Sequence, residues 1–591
     1  MARTRTYGTT TASTGTATGG GPADAPGPVD RPGPAAAGPV RADGGGASRR
    51  RLLGVGVAAV TGAFVTGAAG TPRTVTAHGT PHGTPPKATP HGTLPKGAPS
   101  RPVAARPSAP PKGAPRAGDW AALARGLDGR LVRPGDRDYD AARTLFNPRF
   151  DGLRPSGVAY CARPEDVRTC LEFARRHGVP VSVRGGGHSY AGWSSGPGLV
   201  VDVQPMASVS MSPGGTAQIG AGAKLIDVYD RLTARRRTVP AGSCPTVGVA
   251  GLALGGGIGV VSRAYGLTSD SLTGARIVTA DGRIRDVDAR RDPDLFWALR
   301  GGGNAQFGVV TELRMRTHPA PACTTFFLGW PWARAAAVVR EWQRWAPTAP
   351  DGIWANLHLS APVGGRPGVV RVGGLALTDR ADLENRIDRL ADRIGAAPRS
   401  ASVRTRPFMD AMKAMGGVSG WTVPEAHQKG TLPGRDPRGR VARESYAARS
   451  DFYTRPLPAD GVRALIARVE RLARLTGGGA GSVALDAMGG AVNRVRPGDT
   501  AFVHRDALFL AQYIVSWPDR APSGTVARHR AWLDGTYDAM RPWASGQAYQ
   551  NYTDPALRDW RRAYYGANLT RLAKVKAAYD PERLFRHPHA F

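Results

Sequence analysis

The chain has 591 residues and a formal net charge of +33, with 79 Lys and Arg against 46 Asp and Glu, 78 glycines, 50 prolines and four cysteines. That length exceeds one ordinary domain. The positive charge is spread as single arginines, with no basic helix and no aromatic-studded basic strip, which argues against nucleic acid as a partner and leaves an arginine-rich solvated surface or attraction to an acidic polysaccharide or anionic cell surface.

Residues 1–118 do not read as a domain. Gly, Pro, Ala, Thr and Ser dominate, and an imperfect repeat, HGTPHGTPPKATPHGTLPKG, fills 78–97. Such a stretch cannot bury enough apolar surface to offset its chain entropy, so 1–47 and the Pro/Gly/His-rich linker 78–118 are expected to be disordered. His78, His82 and His91 fall in that linker, and no metal site is expected of them. Between the two lies SRRRLLGVGVAAVTGAFVTGAAGTP, part of a 48–77 segment in which Arg49 and Arg50 precede Leu52, Leu53 and an uncharged run. The run is too weakly hydrophobic for a membrane span. Its order resembles a twin-arginine export signal with cleavage near Ala69 or Ala77, which makes the Tat export machinery an expected partner and the extracellular space the expected location. GVGVAA at 54–59 fits a dinucleotide G-x-G-x-x-A, but it follows arginines rather than a strand and is set aside.

A globular body begins near Asp119-Trp120. A short strand is predicted around Val158–Cys161. A helix opens at Arg163-Pro164, carries Val167, Leu171 and Ala174 on one face, and closes at His177-Gly178. VPVSV at 179–183 alternates as a strand and runs directly into Arg184 and GGGHSY; LVVDV at 199–203 is a further strand. The glycine loop therefore joins strand to strand and opens no helix, unlike a P-loop or a Rossmann cradle. Three successive glycines let the main chain press against a ligand, and His188 is delivered to whatever they touch. A second glycine cluster, GSCPTVGVAGLALGGGIGVVSRAYGLTSDSL, fills 242–272, and a third, LRGGGNAQFGVVTEL, fills 299–313. Three such loops in one stretch mark a cofactor-binding domain. Four cysteines in an exported chain suggest two disulfides among Cys161, Cys170, Cys244 and Cys323, yet Cys244 stands inside GSCPTVG, just ahead of the glycine run.

The second half has another texture. Trp330, Trp332, Trp342, Trp345 and Trp354 crowd its start, and DRADLENRIDRLADRIG places Leu383, Ile387, Leu390 and Ile394 on one helical face. GSVALDAMGGAV at 481–492 and ALFLAQYIVSW at 507–517 read as sheet strands.

In combination, RGGGHSYAG, GxCPxVGVAGLxLGGGIG, GLxSDxL, DLFWALRGGGNAQFGVVTE and the C-terminal YQNYTDP…WRRAYYGANLTRLAKVKAAYDPERLF resemble the berberine-bridge-enzyme-like flavoproteins of the vanillyl-alcohol-oxidase (PCMH-type) FAD superfamily, in their bacterial, exported, bicovalent-flavin form. The resemblance implies an α+β chain. A FAD-binding domain of two α/β subdomains would cover 119–325, a substrate domain with an antiparallel sheet backed by helices 326–544, and a closing segment 545–591 would return to the FAD domain. It implies FAD bonded through His188 to the 8α-methyl and through Cys244 to C6, which leaves three cysteines and at most one disulfide. Arg184, Gly185, Gly186, Gly187, Ser189, Gly248, Gly251, Gly255, Gly256, Gly259, Asp270, Val309 and the amide of Asn551 would contact the cofactor without bonding to it.

For the chemistry, the resemblance points to Tyr549 and Tyr552 of YQNY, with Tyr549 favoured as the base, to Tyr190 beside the isoalloxazine, and to Asp486 as the group accepting a phenol hydrogen bond. Two departures stand out. Met488 replaces an aromatic of many relatives, and Arg494 holds the position of the plant enzymes' glutamate base, which speaks for alcohol oxidation rather than carbon–carbon bridge formation. The expected activity is an FAD-dependent oxidase acting on an alcohol or hemiacetal of a sugar, oligosaccharide or hydroxylated secondary metabolite, with O2 leaving as H2O2. Two alternatives stay open: a dehydrogenase with another electron acceptor, and a non-catalytic basic wall- or polyanion-binding protein, against which His188, Cys244 and the two YQNY tyrosines argue.

Overall fold

The computed structural model describes residues 113–303 and 305–591, so the twin-arginine segment and the histidine-bearing linker lie outside the described residues. Three large sheets follow along the chain, besides a two-stranded one that pairs Arg237–Thr238 with His318–Pro319. The first has four strands in the order Arg130–Val132, Gly157–Tyr160, Leu199–Asp202, Val181–Arg184, the last three parallel to one another. The helix Pro164–His177 connects two of them. Proline stands at its start, Glu165 and Asp166 fill its first turn, Arg175 to His177 its last, and Gly178 ends it in the left-handed region at φ 66°. Val167, Leu171 and Ala174 bury the face that the sequence periodicity had marked. After Arg184 the chain runs through the glycine loop into Leu199–Asp202 with no helix between, as the strand-to-strand reading expects.

The second sheet is antiparallel, in the order Val209–Met211, Thr216–Gly220, Val309–Arg316, Leu272–Val278, Ile284–Asp288. The third has seven antiparallel strands: Ser400–Arg406, Cys323–Trp330, Val369–Ala376, Ile353–Pro362, Ala480–Ala487, Phe509–Trp517 and Ser445–Tyr453. Strand alternation splits this sheet into two unlike faces. Leu357, Val372, Val483 and Val515 share one face, are fully buried, and belong to the core that also takes in Leu465 and Leu472 of the helix Ala459–Ala473. Asn356, Asp486 and Gln512 fall on the other, and the register sets Asn356 directly opposite Asp486 and Gln512 opposite the neighbouring Ala484. The strand expected over 481–492 ends at Ala487; Gly489 and Gly490, at φ 95° and 58°, break it, and 491–494 coil into a helical turn.

The C-terminal segment is stitched to the third glycine cluster. Gln550 Nε2 donates to Gly301 O at 2.7 Å, Tyr565 Oη to Gly302 O at 2.8 Å, and the buried Lys576 Nζ to Gln306 O at 2.7 Å. All four cysteines are free; Cys161 and Cys170 lie buried with their sulfurs 4.0 Å apart. Among the described residues, no helix is long and apolar enough to cross a membrane.

Candidate active site

The first two glycine clusters meet back to back. A Cβ on Gly186 would overlap the backbone nitrogen of Gly248, and the converse holds for Gly248, so neither position admits a side chain. Beside this contact His188 Nε2 hydrogen-bonds Thr246 Oγ1 at 2.9 Å, and the imidazole stacks on Phe146 with ring centres 4.1 Å apart. Burial, with the nearby Lys224 ammonium, pushes the imidazole down to about 3, so it is neutral. Its Nδ1 has no hydrogen bond among the described residues. Cys244 presents an accessible thiol, yet protein walls it on most sides; burial, with the Glu444 carboxyl nearby, raises its pKa.

The other glycines divide by what stands over them. Gly251 has open space where a Cβ would point, and Gly185 and Gly187 meet only ordinary contacts. At Gly255, Gly256 and Gly259 a Cβ would strike Asn551, Phe502 and the carbonyl of Ala241, so packing within the protein already requires glycine there. Ser189 Oγ accepts from Trp193 N at 3.1 Å, within its own loop. Arg184 is buried in an ion pair with the equally buried Asp202 at 2.5 Å. Val309 is a fully buried sheet residue paired with Val278. Asp270, expected at the cofactor, is instead engaged from two sides: Arg505 grips it with both Nη atoms at 2.7 and 2.8 Å, and Leu267 N caps it at 2.9 Å. It is a clamp between the second glycine cluster and residue 505, set 235 positions downstream.

The two tyrosines of YQNY have unlike environments. Tyr549 is buried, and its hydroxyl oxygen accepts from Gly257 N at 3.1 Å, Ile258 N at 3.2 Å and Asn551 Nδ2 at 2.9 Å. An oxygen with three donors has no place left for a substrate proton. The preference for Tyr549 as the base is therefore corrected: it is a strut for the GGGIG turn. The same bonds, with Asn551 Nδ2 to Leu252 O at 2.9 Å, commit the Asn551 amide nitrogen to protein acceptors rather than to a ligand. Tyr552 is the freer phenol. Its ring stacks on Tyr190 and meets Tyr549 edge-on, both at 5.0 Å, and its hydroxyl has no hydrogen bond among the described residues. Tyr190 is held by Gln512 Nε2, which donates to its hydroxyl at 2.8 Å. Asp486 hydrogen-bonds neither YQNY tyrosine, contrary to expectation. Burial raises it to about 7, and its charge helps to hold Tyr552 well above the ordinary phenol range.

Sequence reasoning missed several of these partners. Gln512 had a legible signal, a lone amide in the otherwise apolar FLAQYIVSW. Arg505 and Thr246 had none, because their partners are distant in sequence or their residue types are common. Arg494, in the position of the plant base, pairs with Asp351 at 2.5 Å on the surface.

Comparison with known proteins gives the family. A FAD binding domain model matches residues 155–288, and a berberine and berberine-like model matches 548–590. The FAD-linked oxidoreductase YgaK of Bacillus subtilis (strain 168) is 32% identical over 466 residues, covering 78% of this chain and 96% of its own. The chain belongs to the berberine-bridge-enzyme-like FAD-linked oxidoreductases. Chitooligosaccharide oxidase of Gibberella zeae is 30% identical over 474 residues, covering 77% of this chain and 91% of its own. Among solved structures, Physcomitrella patens BBE-like 1 superposes with a TM-score of 0.72 at 28% identity, covering 80% of this chain and 98% of that one. The xylooligosaccharide oxidase from Myceliophthora thermophila C1 in complex with xylobiose gives 0.69 at 28% identity, covering 80% and 99%.

The residues of this berberine-bridge-enzyme-like chain fit FAD. Gly251 offers bare backbone to open space, and a neutral imidazole and an accessible free thiol stand on two loops that touch at Gly186 and Gly248. The C-terminal turn Gln550–Tyr552 adds an unbonded phenol, and the polar sheet face a carboxyl raised to about 7, groups suited to moving a proton.

Proposed function

We propose that the chain is an exported oxidase of sugar or oligosaccharide alcohols and hemiacetals, with FAD tethered at both His188 and Cys244. The observation that carries the reading is the free hydroxyl of Tyr552, stacked on Tyr190 and influenced by the Asp486 carboxylate. The chemistry that FAD supplies when bound is acceptance of a hydride equivalent from the substrate carbon, with O2 as final acceptor leaving as H2O2. The chain's own task is the proton. Tyr552 receives the substrate hydroxyl's hydrogen bond; as the carbon is oxidised, the hydroxyl proton passes to the phenol oxygen and the phenol's proton goes by way of a water to Asp486, which the phenol does not bond directly. A carboxyl raised to about 7 is matched to that role, because near neutral pH a substantial share is ionised and that share is basic enough to take a proton. Tyr190, fixed by Gln512, supplies the flat wall against which Tyr552 is oriented. Relatives named for chitooligosaccharide and xylooligosaccharide oxidation support a carbohydrate substrate. For the tethers, the engagement of His188 Nε2 by Thr246 leaves Nδ1 for the 8α bond.

The test pairs Tyr552→Phe with Tyr549→Phe. Peroxide release from chito-, xylo- and cello-oligosaccharides should fall about 10²–10⁴-fold in Tyr552→Phe, with flavin absorbance retained. Anaerobic bleaching of the flavin by the same sugars separates oxidase from dehydrogenase chemistry, since it reports substrate oxidation without O2. A Tyr552→Phe variant that keeps its rate within about tenfold removes the reading. The mass and visible spectrum after acid denaturation report the tethers: a yellow polypeptide heavier by one FAD in single variants of His188 or Cys244, and lost only in the double variant, is the expected result.

A further inference from the structure

Two buried nitrogen donors without partners line one small cavity outside the Tyr552 site. The cavity lies where the parallel strands Gly157–Tyr160 and Val181–Arg184 end, and a loop of the second domain, 428–435, closes it. Tyr160, Arg184, Gly186, Gln204, Gln428 and Arg435 are among its walls. Arg184 Nη1 and Gln428 Nε2 are both buried, and neither has a hydrogen-bond acceptor. Leaving such donors unpaired costs about 1–3 kcal/mol each, more for the charged one.

The Asp202 carboxylate and the Gln204 amide oxygen are already in use. Asp202 Oδ2 takes Arg184 Nε at 2.5 Å and Gln204 Nε2 at 2.8 Å, and Asp202 Oδ1 takes Gln204 N at 2.8 Å. Gln204 Oε1 takes the buried Lys224 Nζ at 2.8 Å. Lys224 packs in turn against Gly434 of the closing loop. Arg184, Arg435 and Lys224 thus stand near Asp202, with Asp227 beside Lys224, and three cations against two carboxylates leave the charge here positive. A space of about 20 Å³ holds one water-sized group. A water could accept from both donors and donate to the nearby Tyr160 hydroxyl, so what favours an ion is the positive charge around the cavity. An ion that only accepts suits the donors and the charge together.

We propose that this cavity binds one monatomic anion, chloride in ordinary solution, held by Arg184 Nη1 and Gln428 Nε2. The ion bridges the strand that delivers the RGGGH loop to the loop 428–435, and so fixes the second domain against the backbone next to His188. The same donors suit a phosphate oxygen of FAD, so the test must separate the two occupants.

The test uses the FAD-loaded protein with bromide in place of chloride. Diffraction at the bromine edge should show an anomalous peak within hydrogen-bonding reach of both nitrogens. In solution, Tm should rise saturably with chloride by about 1–3 °C over gluconate at equal ionic strength, and Gln428→Leu, which removes one donor without adding charge, should abolish that rise while keeping the flavin spectrum. Absence of an anomalous peak together with a halide-independent Tm overturns the proposal. Density at the cavity continuous with the cofactor also overturns it, by assigning the donors to FAD. The bromide measurement on the unmodified protein stands even if Gln428→Leu fails to fold.

Discussion

The touching glycine loops and the polar face of the seven-stranded sheet are built on opposite terms. Around Gly186 and Gly248 the wall is main chain, and its shape depends on the absence of side chains. On the sheet, Asn356, Asp486 and Gln512 are side chains set out by strand register, and each could be exchanged without moving the backbone. The first construction suits one large invariant ligand met by backbone. The second can be retuned for different small molecules, which accords with relatives named for chito- and xylo-oligosaccharides on one fold.

The sharpest way to break that contrast is Gly186→Val. Its side chain would have to displace the backbone of Gly248, and neither loop can yield without moving His188 or Cys244. Bound FAD should fall more than tenfold, with loss of soluble folded protein. Asn356→Ala on the sheet should leave FAD content unchanged, losing only its bond to His358 at 2.9 Å. Equal losses of flavin from the two variants would mean that the sheet face shapes the cofactor site as much as the glycines do.

Next in size is Asp270→Ala. Arg505 is nearly fully buried, and beyond Asp270 it has only Val492 O, Phe502 O and Thr500 Oγ1 as partners, so removing the carboxylate strands a buried guanidinium. A loss of about 3–5 kcal/mol in urea unfolding is expected. The visible spectrum of the folded fraction should stay as it was, because the clamp lies outside the ligand wall. A changed flavin spectrum with unchanged stability would return Asp270 to the cofactor.

Residue type at close spacing carried what was legible in the sequence. Triple glycines, the histidine behind them and the cysteine ahead of the next cluster are local patterns. The helix at 164–177 was equally readable, because its proline, acidic first turn and glycine cap fall within fifteen residues. Roles decided by distant partners were not readable. Tyr549 and Tyr552 are chemically identical and three positions apart. Only the backbone of Gly257 and Ile258, some 290 residues away, assigns one as a strut and leaves the other free. Asp270 and Arg505 pose the same difficulty. The early end of the strand at Ala487 was missed because GSVALDAMGGAV is apolar throughout, and its glycine pair could have bulged a strand as readily as ended it.

The smallest effect concerns the sheet face by itself. Burial holds Asp486 protonated up to about pH 7, against 3.8 for an ordinary carboxyl. The folded state therefore keeps a proton that the unfolded chain has released between those values. Stability contributed by the neutral form is full below pH 4, falls as pH rises toward 7, and levels off above it. Asp486→Asn keeps the shape without the charge. It should match the unmodified protein near pH 4 and exceed it by roughly 1–3 kcal/mol at pH 8, read by urea unfolding at each pH. Turnover should move the other way. In the unmodified enzyme it climbs with pH through about 7 as the proton acceptor ionises, while in the variant it stays low and flat. A variant no more stable than the unmodified protein at pH 8 would show that water reaches the carboxyl freely. Unaltered turnover would instead leave Tyr552 to work without it. The glycine loops offer no such lever, since nothing in a bare backbone titrates; a pH dependence that survives Asp486→Asn points to Glu444 or Asp451, the other carboxyls raised to about 7, of which Glu444 lies near Cys244 rather than on the Asn356–Asp486 face.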